Sequence, residues 1–249
     1  MSLDPAALFG LGWPVLTGLF AVVMLATAFQ SASGVGFGLL VAPVMAIADP
    51  GLIPATVLLI GMFAACSAAW RHRANIRWRQ VAWPIGARLP GVVAGSWLLV
   101  LFADEKAIIS VVFGFVVLIA VWLTLSRFRV EPRPLTLSLA GFLSGLMGTL
   151  TGIGGPPMGI VYQHGEPAEV RAAMNAFFAF GTLMTVAALL LTHLIEARHV
   201  RVAALLLPAV PLGLYGANLL SRASDRYIRT ILMGFCALSG LILIIKGLT

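Results

Sequence analysis

Two glycine-rich stretches and one isolated arginine are the residues of this sequence best suited to chemistry, and the chemistry they suit is holding an anion. The stretches are Ser33-Gly34-Val35-Gly36-Phe37-Gly38 and Thr151-Gly152-Ile153-Gly154-Gly155-Pro156-Pro157. Where a helix begins, its first backbone N–H groups lack intrahelical partners and carry about half a positive charge. Glycine lets a ligand approach that backbone closely, and proline is tolerated in the first turn, where its missing N–H costs nothing. The hydroxyls of Ser33 and Thr151 are available to donate to the same ligand. Ser33, Gly34, Gly36, Thr151, Gly152, Gly154, Gly155 and Pro156 are therefore the candidate substrate-binding residues of the two stretches. The alternative is that these glycines only let helices pack closely.

Arg88 lies between Pro84 and Pro90, inside the apolar run that begins at Val81. An arginine at the centre of a membrane helix costs roughly 2.5 to 3.5 kcal/mol on the insertion scale. It either snorkels toward the interface or neutralises and guides an anion. Asn175, with Arg171 just before it, is a further substrate-binding candidate, and Gln30 and Gln163 flank the two stretches. Buried amides need partners; substrate contact and ordinary interhelical hydrogen bonding both meet that need.

These residues sit in a chain that is 60% hydrophobic and only 10% charged over 249 residues, with a mean hydropathy of +1.02. Soluble domains carry roughly 25% charged residues, so the composition excludes that class. A helix spanning the bilayer needs about 20 apolar residues. The chain then holds at most about ten spans with short loops, and no separate soluble domain is expected. No Lys or Arg precedes the apolar run Val15–Phe29, so the N-terminus reads as retained rather than as a cleaved signal peptide. Cys66 and Cys236 lie inside apolar runs and imply neither disulfide nor metal. No cofactor is called for.

Apolar segments run Leu11–Gln30, Gly34–Ala48, Leu52–Trp70, Val81–Phe102, Ala107–Ser126, Leu135–Thr149, Gly154–Gln163, Ala172–Thr192, Val202–Leu220 and Ile228–Ile245. Gly34–Ala48, Leu135–Thr149 and Gly154–Gln163 are short for a crossing, and each adjoins a glycine-rich break. Irregular backbone at membrane depth persists only where it is buried in protein or lines a wet cavity. The breaks also mark a duplication. Ser33-Gly34-Val35-Gly36 matches Thr151-Gly152-Ile153-Gly154 at an offset of 118, while Pro90, Gly95 and Asp104 match Pro211, Gly216 and Asp225 at an offset of 121. The expected fold is an all-α polytopic bundle of two repeats, 1–126 and 127–249, each of about five helical segments. In each half the first two segments return the chain to the side it left and the other three cross. The halves therefore have inverted topology, as in many transporters.

The formal charge of +7 does not point to nucleic acid, because the basic residues occupy short loops between apolar runs. Trp70, Trp78 and Trp83 around the largest basic loop fit an interfacial belt, with lipid as the partner, better than a base-stacking surface. Arg71, Arg73, Arg77, Arg79, Arg127, Arg129, Arg133, Arg171, Arg222, Arg226 and Arg229 fall on one side. Lys106, Arg198, Arg201 and Lys246 fall on the other. The positive-inside rule places the first set in the cytoplasm and both termini outside. The sequence fixes no oligomeric state.

The duplicated layout and the two motifs resemble the sulfite exporter TauE/SafE family, also called the TSUP transporters. The likeness covers nearly the whole chain, with the second motif closer to the family's glycine-proline pattern. In the first, Phe37 stands opposite Gly155 and Gly38 opposite Pro156. The resemblance implies export of a small sulfur-containing anion, sulfite or a small sulfonate, across a bacterial inner membrane. The physics agrees in sign, since an anion leaves a negative interior downhill by about 2.3 kcal/mol per charge per 100 mV. Three other readings stand beside it, the first being a carrier of a different small organic anion. A passive anion channel would share the same site. An intramembrane hydrolase would need a base beside Ser33, and His72, His164, His193 and His199 all fall at segment ends.

Overall fold

The computed structural model describes residues 10–102, 105–125, 130–162 and 165–220, and every regular element among them is helical. The first-half helices are α1 (Trp13–Ser33), α2 (Phe37–Ala48), α3 (Ala55–Arg71), α4 (Trp78–Leu101) and α5 (Lys106–Leu125). They are followed by α6 (Pro134–Thr151), α7 (Gly155–Tyr162), α8 (Pro167–Leu191), α9 (Ala197–Leu206) and α10 (Ala209–Leu220). The expected segment Ile228–Ile245, the Asp104/Asp225 match, Gln163, His164 and Cys236 lie outside the described residues, as do Arg222, Arg226, Arg229 and Lys246.

α1, α4, α6 and α8 are each long and apolar enough to cross a membrane, and α9 with α10 makes a fifth if the bent pair is one span. Most boundaries shift by a few residues from the sequence expectation, and α8 begins five residues early, at Pro167; two further differences bear on the fold. α6 is 18 residues long, because Pro134 opens it one residue early and the helix runs on to Thr151. The run Val202–Leu220 is not one helix: it bends by 42° between α9 and α10, at Leu207-Pro208. Proline lacks the N–H that the ladder needs, and its ring clashes with the carbonyl of the preceding turn.

Each break is closed by the same backbone device. Gly34 (φ 85°) caps α1 and Gly152 (φ 76°) caps α6 in the left-handed region, where a Cβ is strained and glycine is preferred. The residue before each glycine completes the cap. Ser33 Oγ lies 2.8 Å from the Phe29 carbonyl and accepts the Val35 N–H at 3.3 Å. Thr151 Oγ1 donates to the Met147 carbonyl at 2.8 Å and accepts the Ile153 N–H at 3.1 Å.

The most extensive packing is α4 on α6, followed by α10 on α1 and α3 on α8. The α4–α6 contact is built on glycine. A Cβ on Gly91 would run into the Phe142 carbonyl, and one on Gly141 or Gly145 into the carbonyls of Pro84 or Arg88. In lipid, where apolar burial no longer drives helices together, such close backbone approach supplies the association energy. Large apolar side chains such as Trp83, Trp97, Trp122 and Leu191 are left on the outside, as lipid-facing surfaces require.

The two broken pairs enter the bundle from opposite ends. Asp49, at the end of α2, pairs with Arg198, and the Arg198 guanidinium also covers Gly10, ahead of α1. His199 Nε2 adds a bond to the Gly51 carbonyl at the same end. The second pair returns to the end where α4 begins, since Tyr162 Oη donates to the Gln80 carbonyl at 2.9 Å. The breaks then meet inside. A Cβ on Gly38 would collide with the Gly152 carbonyl, and one on Gly155 would lie 2.5 Å from Val35 Cγ1.

Candidate functional site

Where the breaks meet they enclose a cavity of about 40 Å³, enough for a few waters or one small anion by the volume a single water needs. Its wall includes Gly36 and Phe37 from the first break, Gly152, Gly154 and Gly155 from the second, and the side chains of Gln30, Arg88 and Thr182. The starts of α2 and α7 therefore face one space.

Arg88 does not snorkel. It is 1% exposed, and its guanidinium lies in a recess left by three glycines. Side chains at Gly148, Gly154 or Gly181 would meet it, the first at 3.1 Å from Nη2 and the second at 3.5 Å from Nη1. Nη1 donates to Ser144 Oγ at 2.8 Å, and Ser144 donates on to the Gly154 carbonyl at 2.5 Å. The rings of Phe177 and Phe178 lie 5.0 and 5.7 Å from Cζ. Nε is buried without a partner, and among the described residues no carboxylate pairs with Arg88.

Burying an unpaired cation costs several kcal/mol even after relaxation. A charge-assisted hydrogen bond returns about 1.5–3 kcal/mol and a desolvated cation–π contact about 2 kcal/mol. Those contacts hold the guanidinium in place while leaving most of its five N–H donors without a protein acceptor. Arg88 and the cavity adjoin, since Arg88 is among the residues of its wall.

Not every candidate reaches this cavity. Gly36, Gly152, Gly154, Gly155 and Arg88 line it, while Ser33, Gly34, Thr151, Pro156 and Asn175 do not. The Ser33 and Thr151 hydroxyls, expected to donate to a ligand, are engaged in capping the breaks. Gly34 packs against Arg171 and Met174 of α8, and Pro156 is buried in the first turn of α7. Asn175 is fully buried and donates from Nδ2 to the Arg171 carbonyl at 3.0 Å, leaving Oδ1 without a partner. Ser144, Thr182 and the glycines at 148 and 181 were not legible as site residues, because small residues in an apolar helix look the same whether they pack or make room for a ligand. Ser33 Oγ makes its hydrogen bonds to backbone, and His72 Nε2 lies 3.0 Å from the carbonyl oxygen of Ser31, two residues away.

An apolar helical bundle with lipid-facing aromatics, broken helices meeting at depth and a buried cation beside a small cavity defines a polytopic membrane protein of the transporter class. The chain matches the sulfite exporter TauE/SafE family over residues 19–243 and belongs to that family. It is 29% identical over 176 residues to a protein of Cupriavidus necator described as a probable sulfite/organosulfonate exporter TauE. That match spans 66% of this chain and 67% of the relative. No solved structure matches the chain.

Proposed function

We propose that the protein exports a small sulfur-containing anion, sulfite or a small sulfonate, and that the anion sits between the two helix breaks against Arg88. The observation that carries this reading is the burial of Arg88, without a carboxylate partner among the described residues, in the wall of a cavity faced by both breaks. The description of the Cupriavidus relative supports the choice of sulfur anion. The two-repeat division, 1–126 and 127–249, is part of the proposal. It is supported by the matching Gly34 and Gly152 caps and by packing that repeats with the halves exchanged: α4 on α6, and α10 on α1. In this account the protein resides in a bacterial inner membrane with the arginine-rich loops in the cytoplasm, both termini outside, and the cavity opening alternately to each side.

The test is efflux of radiolabelled sulfite, and separately of a small sulfonate, from sealed proteoliposomes at a set membrane potential. Wild type should show saturable efflux, and Arg88→Ala should lose it for both solutes. Unchanged apparent affinity in Arg88→Ala would remove Arg88 from the site. No saturable movement of either solute by wild type would remove the sulfur-anion assignment. Acceleration by substrate on the far side is expected of a carrier and would be lacking in a passive channel.

A further inference from the structure

Arg88 has a counterpart in the other half of the molecule that is not a charge. At the repeat offset of 121, Arg88 corresponds to Ala209, which carries no polar group. At the offset of 118, Gln30 corresponds to Gly148, and Gly148 is where the Arg88 guanidinium lies, with Nη2 at 3.1 Å from the position of a Cβ. The halves have thus filled equivalent places differently. In one, an arginine from α4 reaches over a glycine of α6; in the other, the corresponding positions hold a glutamine in α1 and an alanine in α10.

Gln30 is 4% exposed and lines the same cavity as Arg88. Its Oε1 accepts the Phe37 N–H at 3.1 Å, at the first residue of α2. Because a backbone N–H can only be met by the oxygen, this bond fixes which end of the amide is which. The remaining end is the NH2 group, with two donors, and it has no hydrogen-bond partner among the described residues. Gln30 therefore does more than close the start of α2: it brings donors that no described protein group accepts from to the cavity that Arg88 also lines.

We propose that Gln30 is a second anion-binding residue, and that Arg88 and Gln30 together make the cavity select a singly charged oxyanion over a doubly charged one. This rests on the anion site proposed above. One guanidinium neutralises one charge, and the amide donates to an oxygen without adding a second charge. A dianion would leave a net negative charge out of water, at a cost that buried charge makes steep.

Two measurements on the full-length protein in proteoliposomes test this. The first uses Gln30→Glu, which keeps the side-chain shape and an oxygen for the Phe37 N–H but replaces the donors with a negative charge. The apparent KM for radiolabelled sulfite should rise about tenfold or more at unchanged melting temperature. Because a carboxylate beside Arg88 raises KM by its charge alone, Gln30→Met is measured in parallel: it keeps similar length and removes the donors without adding a charge, and its KM should rise as well. A residue that only caps α2 would leave KM unaltered in Gln30→Met while lowering the melting temperature, and that result would overturn the role. The second measurement, at a pH acidic enough that labelled sulfite is chiefly the singly charged hydrogensulfite, is competition by methanesulfonate and sulfate, ligands of similar tetrahedral size with one and two charges. Methanesulfonate should compete at concentrations about tenfold or more below those needed for sulfate; equal competition would overturn the charge selectivity. Loss of efflux in Arg88→Ala with a silent Gln30→Met would defeat this inference and spare the site, whereas unchanged efflux in Arg88→Ala would defeat both.

Discussion

Ser144 stands between Arg88 and the second break, accepting from Nη1 at 2.8 Å and donating to the Gly154 carbonyl at 2.5 Å. One hydroxyl thereby fixes both the cation and the glycine backbone that flanks the cavity. Ser144→Ala removes both bonds and leaves buried polar groups short of partners, a cost of about 1–3 kcal/mol for each such group. The expected result in transport assays is a higher KM for sulfite with turnover largely retained, because the charge remains but is less well held; an unchanged KM would show that Ser144 does not position Arg88. Gly181 makes a complementary case from the other side of the guanidinium. A Cβ there would lie 2.6 Å from Arg88 Cδ, and overpacking of this kind costs about 1–3 kcal/mol. Gly181→Ala should therefore displace Arg88 and impair efflux more than it lowers the melting temperature. Arg88 was legible in the sequence because a charge in an apolar run is rare, but its depth was not: whether an arginine snorkels or is buried depends on the recess around it. That recess comes from Gly148, Gly154 and Gly181, on three different segments.

At the scale of elements, the breaks were legible as breaks because glycine and proline clusters interrupt otherwise continuous apolar runs. Their function as paired caps was not, since the Ser33 and Thr151 hydroxyls suit a ligand and a backbone carbonyl equally well by residue type. Proline gives a similar lesson. Pro84 and Pro90 lie within α4, which continues through them, while Pro208 separates α9 from α10 at a 42° bend. Neighbouring helices decide which freed backbone groups are satisfied again, and that is tertiary information. The close approach of the breaks makes a direct prediction. Gly38→Ala would drive a Cβ into the Gly152 carbonyl, whereas Gly159 in α7 faces open space. Gly38→Ala should lower the melting temperature in detergent and reduce the folded yield. Gly159→Ala should be neutral or stabilising by up to about 1 kcal/mol through helix propensity. Equal behaviour of the two variants would contradict the contact between the breaks.

At the scale of the whole molecule, the broken pairs enter from opposite ends, one anchored at Asp49 and Arg198 and the other at Tyr162 and Gln80. The proposed orientation in the membrane rests on the excess of arginine in one set of loops of the sequence. In a background without the native cysteines, Gly12→Cys should react with an impermeant thiol reagent added outside intact cells, and Ala74→Cys only after the membrane is opened; the reverse pattern would invert the orientation. In the proposed two-repeat arrangement the cavity has two related backbone frames, capped at Gly34 and Gly152, and an asymmetric pair of side chains, Arg88 and Gln30. The central claim is that one anion occupies that cavity. It is tested most directly by a crystal structure of the protein with selenite, a sulfite analogue whose selenium is located by anomalous scattering. The account predicts a single selenium peak between the two breaks, with its oxygens within hydrogen-bond distance of the Arg88 guanidinium. A peak elsewhere in the bundle, or an empty cavity in protein that transports selenite, would contradict it.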